Sequence, residues 1–365
     1  MVAGTRRAFA AVILSMAVLF AFTGFLVRAW RSGRSQRANR HFEMGRQLAQ
    51  QGRSDQAVEE YRAALSFSPN DTRYRLALAL ALMSFGRLDE AEAHLGELRE
   101  SDPTNAVVNL ALARISVRQH DWDEAVLDYH RAIFGLWPEQ PEKNRVQARF
   151  ELVDLLMRRQ KQKEVLAELL ELAAETPGDT AVQRRVASLL LANGAARNAA
   201  DLYQSILTAS PEDAAAWSGL GEAQFVQGDY PAARASFRKA LRWNSKDEQA
   251  RKGVAECDEI AALDPTQPTL SSGQRFGRAR ELLARSFHGL EGCLAASGGN
   301  TPADVSTLVE SARPVVDAKP RRHREGDTPK VLALAGELWK SWDRVCPAAA
   351  RADQAVAIVM GKVSN

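Results

Sequence analysis

Residues 214–247 read AAAWSGLGEAQFVQGDYPAARASFRKALRWNSKD. Ala, Leu, Arg, Glu and Gln dominate, and these lose little in a helix, whereas the β-branched residues that sheets need are scarce. Leu220 is followed by the small Gly221; Ala233 and Phe237 recur later, and Gly228 lies between the two halves. A large residue beside a small one lets two helices approach closely, the later Ala removes bulk where the partner helix crosses, and the ring fills the gap that remains. Glycine between the halves suits a left-handed cap at the end of the first helix. The stretch therefore predicts a helical hairpin.

The same hairpin recurs upstream at a step of 34 residues, lengthened once to 40. Small residues fall at Gly45, Ala79, Ala113, then Ala187 and Gly221, with Val153 at the fourth place. In register with them run Met44, Leu78, Leu112, Leu152, Val186 and Leu220, then Ala57, Ala91, Ala125, Val165, Ala199 and Ala233, then Tyr61, Leu95, Tyr129, Leu169, Tyr203 and Phe237. The turn position holds Gly52, Gly86, His120, Gln160, Gly194 and Gly228, and prolines at 69, 103, 138, 177 and 211 close successive units. One hairpin cannot bury both faces, so the units must stack, and a constant rotation between them makes a right-handed superhelix with a concave wall. Val153 and Val165 share one unit, which predicts looser or more bent packing there. Residues 140–145 form an insertion after the third unit.

These residues resemble the tetratricopeptide repeat family. Trp217, Leu220, Gly221, Tyr230, Ala233, Phe237 and Ala240 fall on its pattern, and the resemblance covers residues 38–247 as six repeats: 38–71, 72–105, 106–139, 146–179, 180–213 and 214–247. Residues 248–263 read as a capping helix that shields the last repeat, 264–273 as a Pro-rich linker, and 274–365 as a helical module without the repeat ruler.

The resemblance implies that the first helix of each unit lines the concave wall. The residues one or two turns from the packing positions there include Phe42, Arg46, Leu76, Leu80, Leu110, Arg114, Phe150, Met157, Arg158 and Arg184. Apolar anchors interspersed with arginines predict a groove for an extended or helical protein segment that carries apolar and acidic residues. Some members of the family clamp a terminal carboxylate with Lys and Asn on this wall, but Phe42, Arg46, Leu76 and Leu80 stand at those places here.

Residues 8–27, AFAAVILSMAVLFAFTGFLV, carry no charge and are bracketed by Arg6, Arg7 and Arg28. Twenty helical residues span about 30 Å, the hydrocarbon thickness, so a membrane helix or uncleaved signal anchor is expected after a seven-residue tail. Val27-Arg28-Ala29 offers a small-x-small site, which leaves cleavage before Trp30 open. Residues 28–37 read as a basic juxtamembrane linker. Arg6-Arg7 loosely resembles a twin-arginine export signal and favours an extracytoplasmic domain on a bacterial inner membrane; the arginines at 28, 31, 34, 37 and 40 count the other way.

The 365 residues are 45% hydrophobic and 25% charged, with a net charge of +3. So small a charge argues against a nucleic-acid binder. Cys257, Cys293 and Cys346 show no CxxC spacing, and the six histidines form no HExxH-like set, so no metal or cofactor is expected. Cys293 and Cys346 are a candidate disulfide, with two separately buried thiols as the alternative. No GxSxG and no phosphate-cradling loop is present, and no catalytic residue is assigned. The expected function is a membrane-anchored scaffold or adaptor; the alternatives are a permanent structural subunit and a non-catalytic accessory domain of a transferase.

Overall fold

The computed structural model describes residues 2–296, 302–318 and 326–363; the side chains at 2–15, 17, 18, 26, 27 and 29 lie outside the description. The described chain is helical. Among the described residues there is no strand, and an isolated parallel bridge joins Asn105 to Leu136. The first hairpin pairs the end of α1 (Val2–Gln50) with α2 (Ser54–Phe67). It is followed by α3 (Thr72–Phe85) with α4 (Leu88–Ser101), α5 (Ala106–Gln119) with α6 (Trp122–Ile133), and α7 (Pro141–Arg158) with α8 (Gln162–Glu175). Then come α9 (Thr180–Ala192) with α10 (Ala196–Ala209), α11 (Ala214–Val226) with α12 (Tyr230–Trp243), and the cap α13 (Glu248–Leu263). The remaining module is α14 (Ser272–Ala296), α15 (Ala303–Asp317), α16 (Asp327–Val345), α17 (Pro347–Ala352) and α18 (Gln354–Val363). The chain forms two compact units, Met1–Glu168 and Leu169–Asn365, and the boundary falls inside the second helix of the fourth repeat.

The helices begin where short polar side chains satisfy their free amides. Asp71, Asn105, Asp121, Asp179, Asp213, Asp229 and Asp247 each accept a hydrogen bond from an amide in the first turn. At the hairpin turns Gly52, Gly86, Gly194 and Gly228 take positive φ, and His120 (64°) and Gln160 (56°) take it too, without glycine's freedom. The insertion becomes helix rather than loop: Gln140 turns the chain with φ 43°, Pro141 opens α7, and that helix reaches 18 residues where its counterparts have 13 or 14.

The ladders meet each other. A Cβ placed on Gly45 would lie 2.8 Å from the Tyr61 ring, and one on Gly221 would lie 2.6 Å from Phe237, so the small place of a repeat seats its own ring. Each ring also touches the next unit: a Cβ on Gly219 would overlap Tyr203, and one on Gly253 would overlap Phe237. Gly253 stands 34 residues after Gly219. The cap therefore docks on the last repeat in the repeats' own register.

A further ladder is made of unlike residues. Arg75, Asn109, Trp217 and Arg251 each donate to the carbonyl six residues back, on Pro69, Pro103, Pro211 and Ser245, at 2.8–3.0 Å. Gln183 does the same service for Thr176 at 2.8 Å. Arg149, the member that follows the insertion, is fully buried and faces Glu168 at 3.4 Å.

Residues 28–37, expected as a linker, belong to α1 without a break. Arg34 donates to the Phe67 carbonyl at 2.8 Å and Ala38 is buried against α2, so helix packing begins before the first repeat does. The apolar run 8–27 lies in the same helix. Most of its side chains lie outside the description, and among the described residues no helix is long and apolar enough to cross a membrane.

The module forms around one core, with Leu282, Phe287, Leu290, Leu338, Trp342 and Val359 at its centre. Cys293 and Cys346 are joined, with α-carbons 6.4 Å apart. The chain breaks between α17 and α18 at Asp353, whose carboxylate caps α18 through the Val356 amide.

Candidate functional site

The first helices of the repeats carry the wall positions, and the structure treats them unequally. Leu76 and Met157 are half-buried, Leu80 is 38% exposed, and Arg46 and Arg158 are exposed. Phe42 is half-buried, its ring 4.8 Å from Tyr74 and 5.7 Å from Tyr61 between centroids. Leu110 and Phe150, expected as open anchors, are buried at 8% and 3% exposure because the adjoining hairpins close over them. They stabilise the stack and leave no apolar surface for a partner.

The arginines separate in the same way. Among the described residues Arg46 is paired within its own helix, with Glu43 at 2.6 Å. Arg114 grips Glu151 through two hydrogen bonds, of 2.9 and 2.7 Å, and the Tyr129 hydroxyl donates to the same carboxylate at 3.3 Å. Burial raises the Glu151 carboxyl, but the hydrogen bonds from Arg114 and Gln147 outweigh it and hold the group below the usual carboxylate range. Burial, reinforced by Glu151, pushes the Tyr129 hydroxyl far up. This triad clips the third repeat to the fourth and occupies the Nε–Nη2 edge of Arg114 that a ligand carboxylate would otherwise take. In the second unit Arg184 is engaged by Asp213 at 3.0 and 3.2 Å.

What stays open in the first unit is thus an apolar strip at Leu76 and Leu80 flanked by Arg46, with Arg158 as a second exposed cation. Sequence register identifies these places but not their partners: Glu151, which neutralises Arg114, lies 37 residues away. Its one signal is that it shares the register place of Gly219 and Gly253, where each unit meets the ring of the unit before.

Among the described residues no group of three or more His, Cys, Asp or Glu is placed to hold a metal ion. His41 faces Glu60 at 2.7 Å and His130 faces Glu168 at 2.9 Å, both as contacts between helices.

A tetratricopeptide repeat family model matches residues 48–115, 86–127 and 190–257, so the chain carries repeats of this kind. Human protein O-mannosyl-transferase TMTC1 is 24% identical over 209 residues, 57% of this chain and 20% of that protein. BBSome complex member BBS4 from Bos taurus is 33% identical over 95 residues, 25% of this chain and 18% of that one. The chain spans no more than a fifth of the length of these curated relatives. Among solved structures, YrrB, described as a TPR protein with an unusual peptide-binding site, is 18% identical at TM-score 0.39, covering 53% of this chain and 97% of that one. Pseudomonas aeruginosa PilF is also 18% identical at TM-score 0.39, covering 61% and 99%.

Proposed function

We propose that this chain is a non-enzymatic adaptor, tethered to a bacterial inner membrane through residues 8–27, whose repeats hold segments of other proteins. The observation that carries the reading is the repeat register itself. It sets the first helices of neighbouring repeats side by side and leaves Leu80, Arg46 and Arg158 exposed and Leu76 half-buried, while Leu110 and Phe150 are covered. Exposed leucines supply affinity by burial, and exposed arginines orient an acidic segment.

The tether is supported by the charge-free run and by Phe20, Phe22 and Phe25, which α1 leaves uncovered, Phe20 at 83%. The extracytoplasmic side is supported by the Cys293–Cys346 pair, since disulfides persist in oxidising compartments.

A photo-crosslinking residue at Leu80 tests the wall, with one at the exposed Ala93 on the outer helix α4 as control. Adducts from Leu80 that vanish with Arg158→Glu support an adaptor; equal adducts from both sites, or none from Leu80, refute it. Resistance of the full chain to carbonate extraction, lost on deletion of residues 2–27, tests the tether. Cys257 is buried, so sidedness is read from a Ser101→Cys label at an exposed place.

A further inference from the structure

The second unit has a cleft of its own, about 360 Å³, between the first helices α9, α11 and α13. Leu191, Phe225 and Val226 give it apolar sides, and Glu222, Lys252 and Glu256 are its charged lining. Phe225 and Glu256 also line an adjoining space of about 400 Å³ that reaches Asp353 and Ala355 at the start of α18. The carboxylates of that space have counter-ions: Glu259 meets Arg285 at 2.6 Å, Asp353 meets the same guanidinium at 3.9 Å, and Glu256 meets Lys252 at 3.5 Å.

Glu222 is the exception. It is half-buried and makes no ion pair among the described residues. The charged and titratable groups around it do not relieve it: Asp247 repels it, Tyr203 on α10 is neutral, Arg184 on α9 is taken by Asp213, and Lys252 on α13 by Glu256. Burial, with Asp247 adding to it, lifts the Glu222 carboxyl above its ordinary range. Its register place holds Arg46, Leu80 and Arg114 in the first three repeats, so the sixth repeat inverts the charge that the first and third carry there. Beside it, Val226 is 63% exposed and offers apolar surface.

We infer that this cleft receives a segment of a partner protein with one basic side chain between apolar ones, the cation seated on Glu222 and its neighbours on Phe225 and Val226. The inference rests on the reading of the inner helices as a binding wall, and it adds a second subsite of opposite charge preference. A cation there supplies what the unit lacks, and the apolar sides exclude the water that otherwise screens the pair.

The probes are acetylated, amidated twelve-residue peptides of Leu, Phe and Ser that differ at one central place: lysine, arginine, norleucine or glutamate. Binding to the full chain in detergent micelles is read by fluorescence anisotropy. The lysine and arginine peptides should bind at least about 10-fold more tightly than the norleucine peptide, with the glutamate peptide weakest. Glu222→Gln should cut that preference below about threefold, and Glu222→Asp should retain part of it. Affinity of the lysine peptide should rise with pH as Glu222 ionises and be flat in Glu222→Gln.

Equal binding of lysine and norleucine peptides, no binding of any basic peptide, or an unchanged preference in Glu222→Gln would overturn the inference. So would a norleucine peptide with a free amino terminus that matches the lysine peptide, since the terminal amine would then be the ligand. Melting by circular dichroism should place Glu222→Gln at or above the wild type, which separates lost recognition from lost fold. Leu80 crosslinks that persist in Glu222→Gln show that the adaptor reading stands whether or not this subsite does.

Discussion

The repeats and the carboxy-terminal module use the same device to different ends. In the repeats a small residue sits under a ring at both ends of the series, Gly45 under Tyr61 in the first and Gly221 under Phe237 in the sixth. In the module it occurs once, where a Cβ on Gly289 would overlap the Trp342 ring. The repeats bury many small cores, each between neighbours in sequence. The module buries a single core from Ile260 to Met360 and ties its middle with a disulfide across 53 residues. Iteration makes stability local, because each unit needs only its neighbours; a lone core makes it collective, because every helix must be present at once.

The largest effect that would sharpen this contrast is loss of the staple. Closing a loop of 53 residues contributes about 4 kcal/mol through chain entropy. Cys293→Ser should lower the module's stability by that order, read as early proteolysis in residues 272–363 with α2 to α6 unaffected. Equal loss in both regions would erase the distinction. Leu95→Ala, at a fully buried ring place in the second repeat, should cost about 2–4 kcal/mol. Hydrogen exchange should rise in α3 to α5 and fade beyond them; a uniform rise through α12 would show that the repeats are as collective as the module.

A smaller effect concerns the link between cap and module. Asp264 accepts from the Thr266 amide and hydroxyl at 2.9 and 2.6 Å and meets Lys362 at 3.3 Å. Burial raises its carboxyl, yet these partners outweigh it and hold it below the ordinary value. A lowered folded pKa means that the contribution, about 1–2 kcal/mol for hydrogen bonds to a charged group, is present above the unfolded pKa and lost as pH falls through the folded one. Asp264→Asn should remove that acid-induced loss of module melting temperature between neutral pH and about pH 3. Smallest is Gln160→Gly, which relieves a left-handed residue and should raise thermal stability by about 0.5–1 kcal/mol; a decrease would show that Gln160 is held there by more than chain geometry.

What the sequence made legible was whatever repeats in kind. The Ala, Leu and ring ladders identify the hairpins and their order because close packing tolerates few residue types at those places. The turn-carbonyl ladder escaped because arginine, asparagine, glutamine and tryptophan all have an N–H that reaches a carbonyl, so function is preserved while identity drifts. The continuity of α1 through 28–37 escaped because Ser32, Gly33 and Ser35 signal a linker, whereas the bond from Arg34 to Phe67 is visible only once α2 is placed. At the wall, register located Leu110 and Phe150 but not their depth, which depends on how far adjoining hairpins close. The pairing of Arg114 with Glu151 joins two neighbouring repeats across 37 residues, so nothing in the sequence beside Arg114 marks its partner.

One consequence concerns mechanics. A helix from Val2 to Gln50 is about 74 Å long, and its last turns are the first half of a hairpin. There is no swivel between them. Whatever grips the far end of α1 therefore holds the first repeat as a mast holds a rigged spar: axial rotation at one end turns the other, and a sideways push arrives as leverage on the seam between α1 and α2 rather than as slack taken up by a cord.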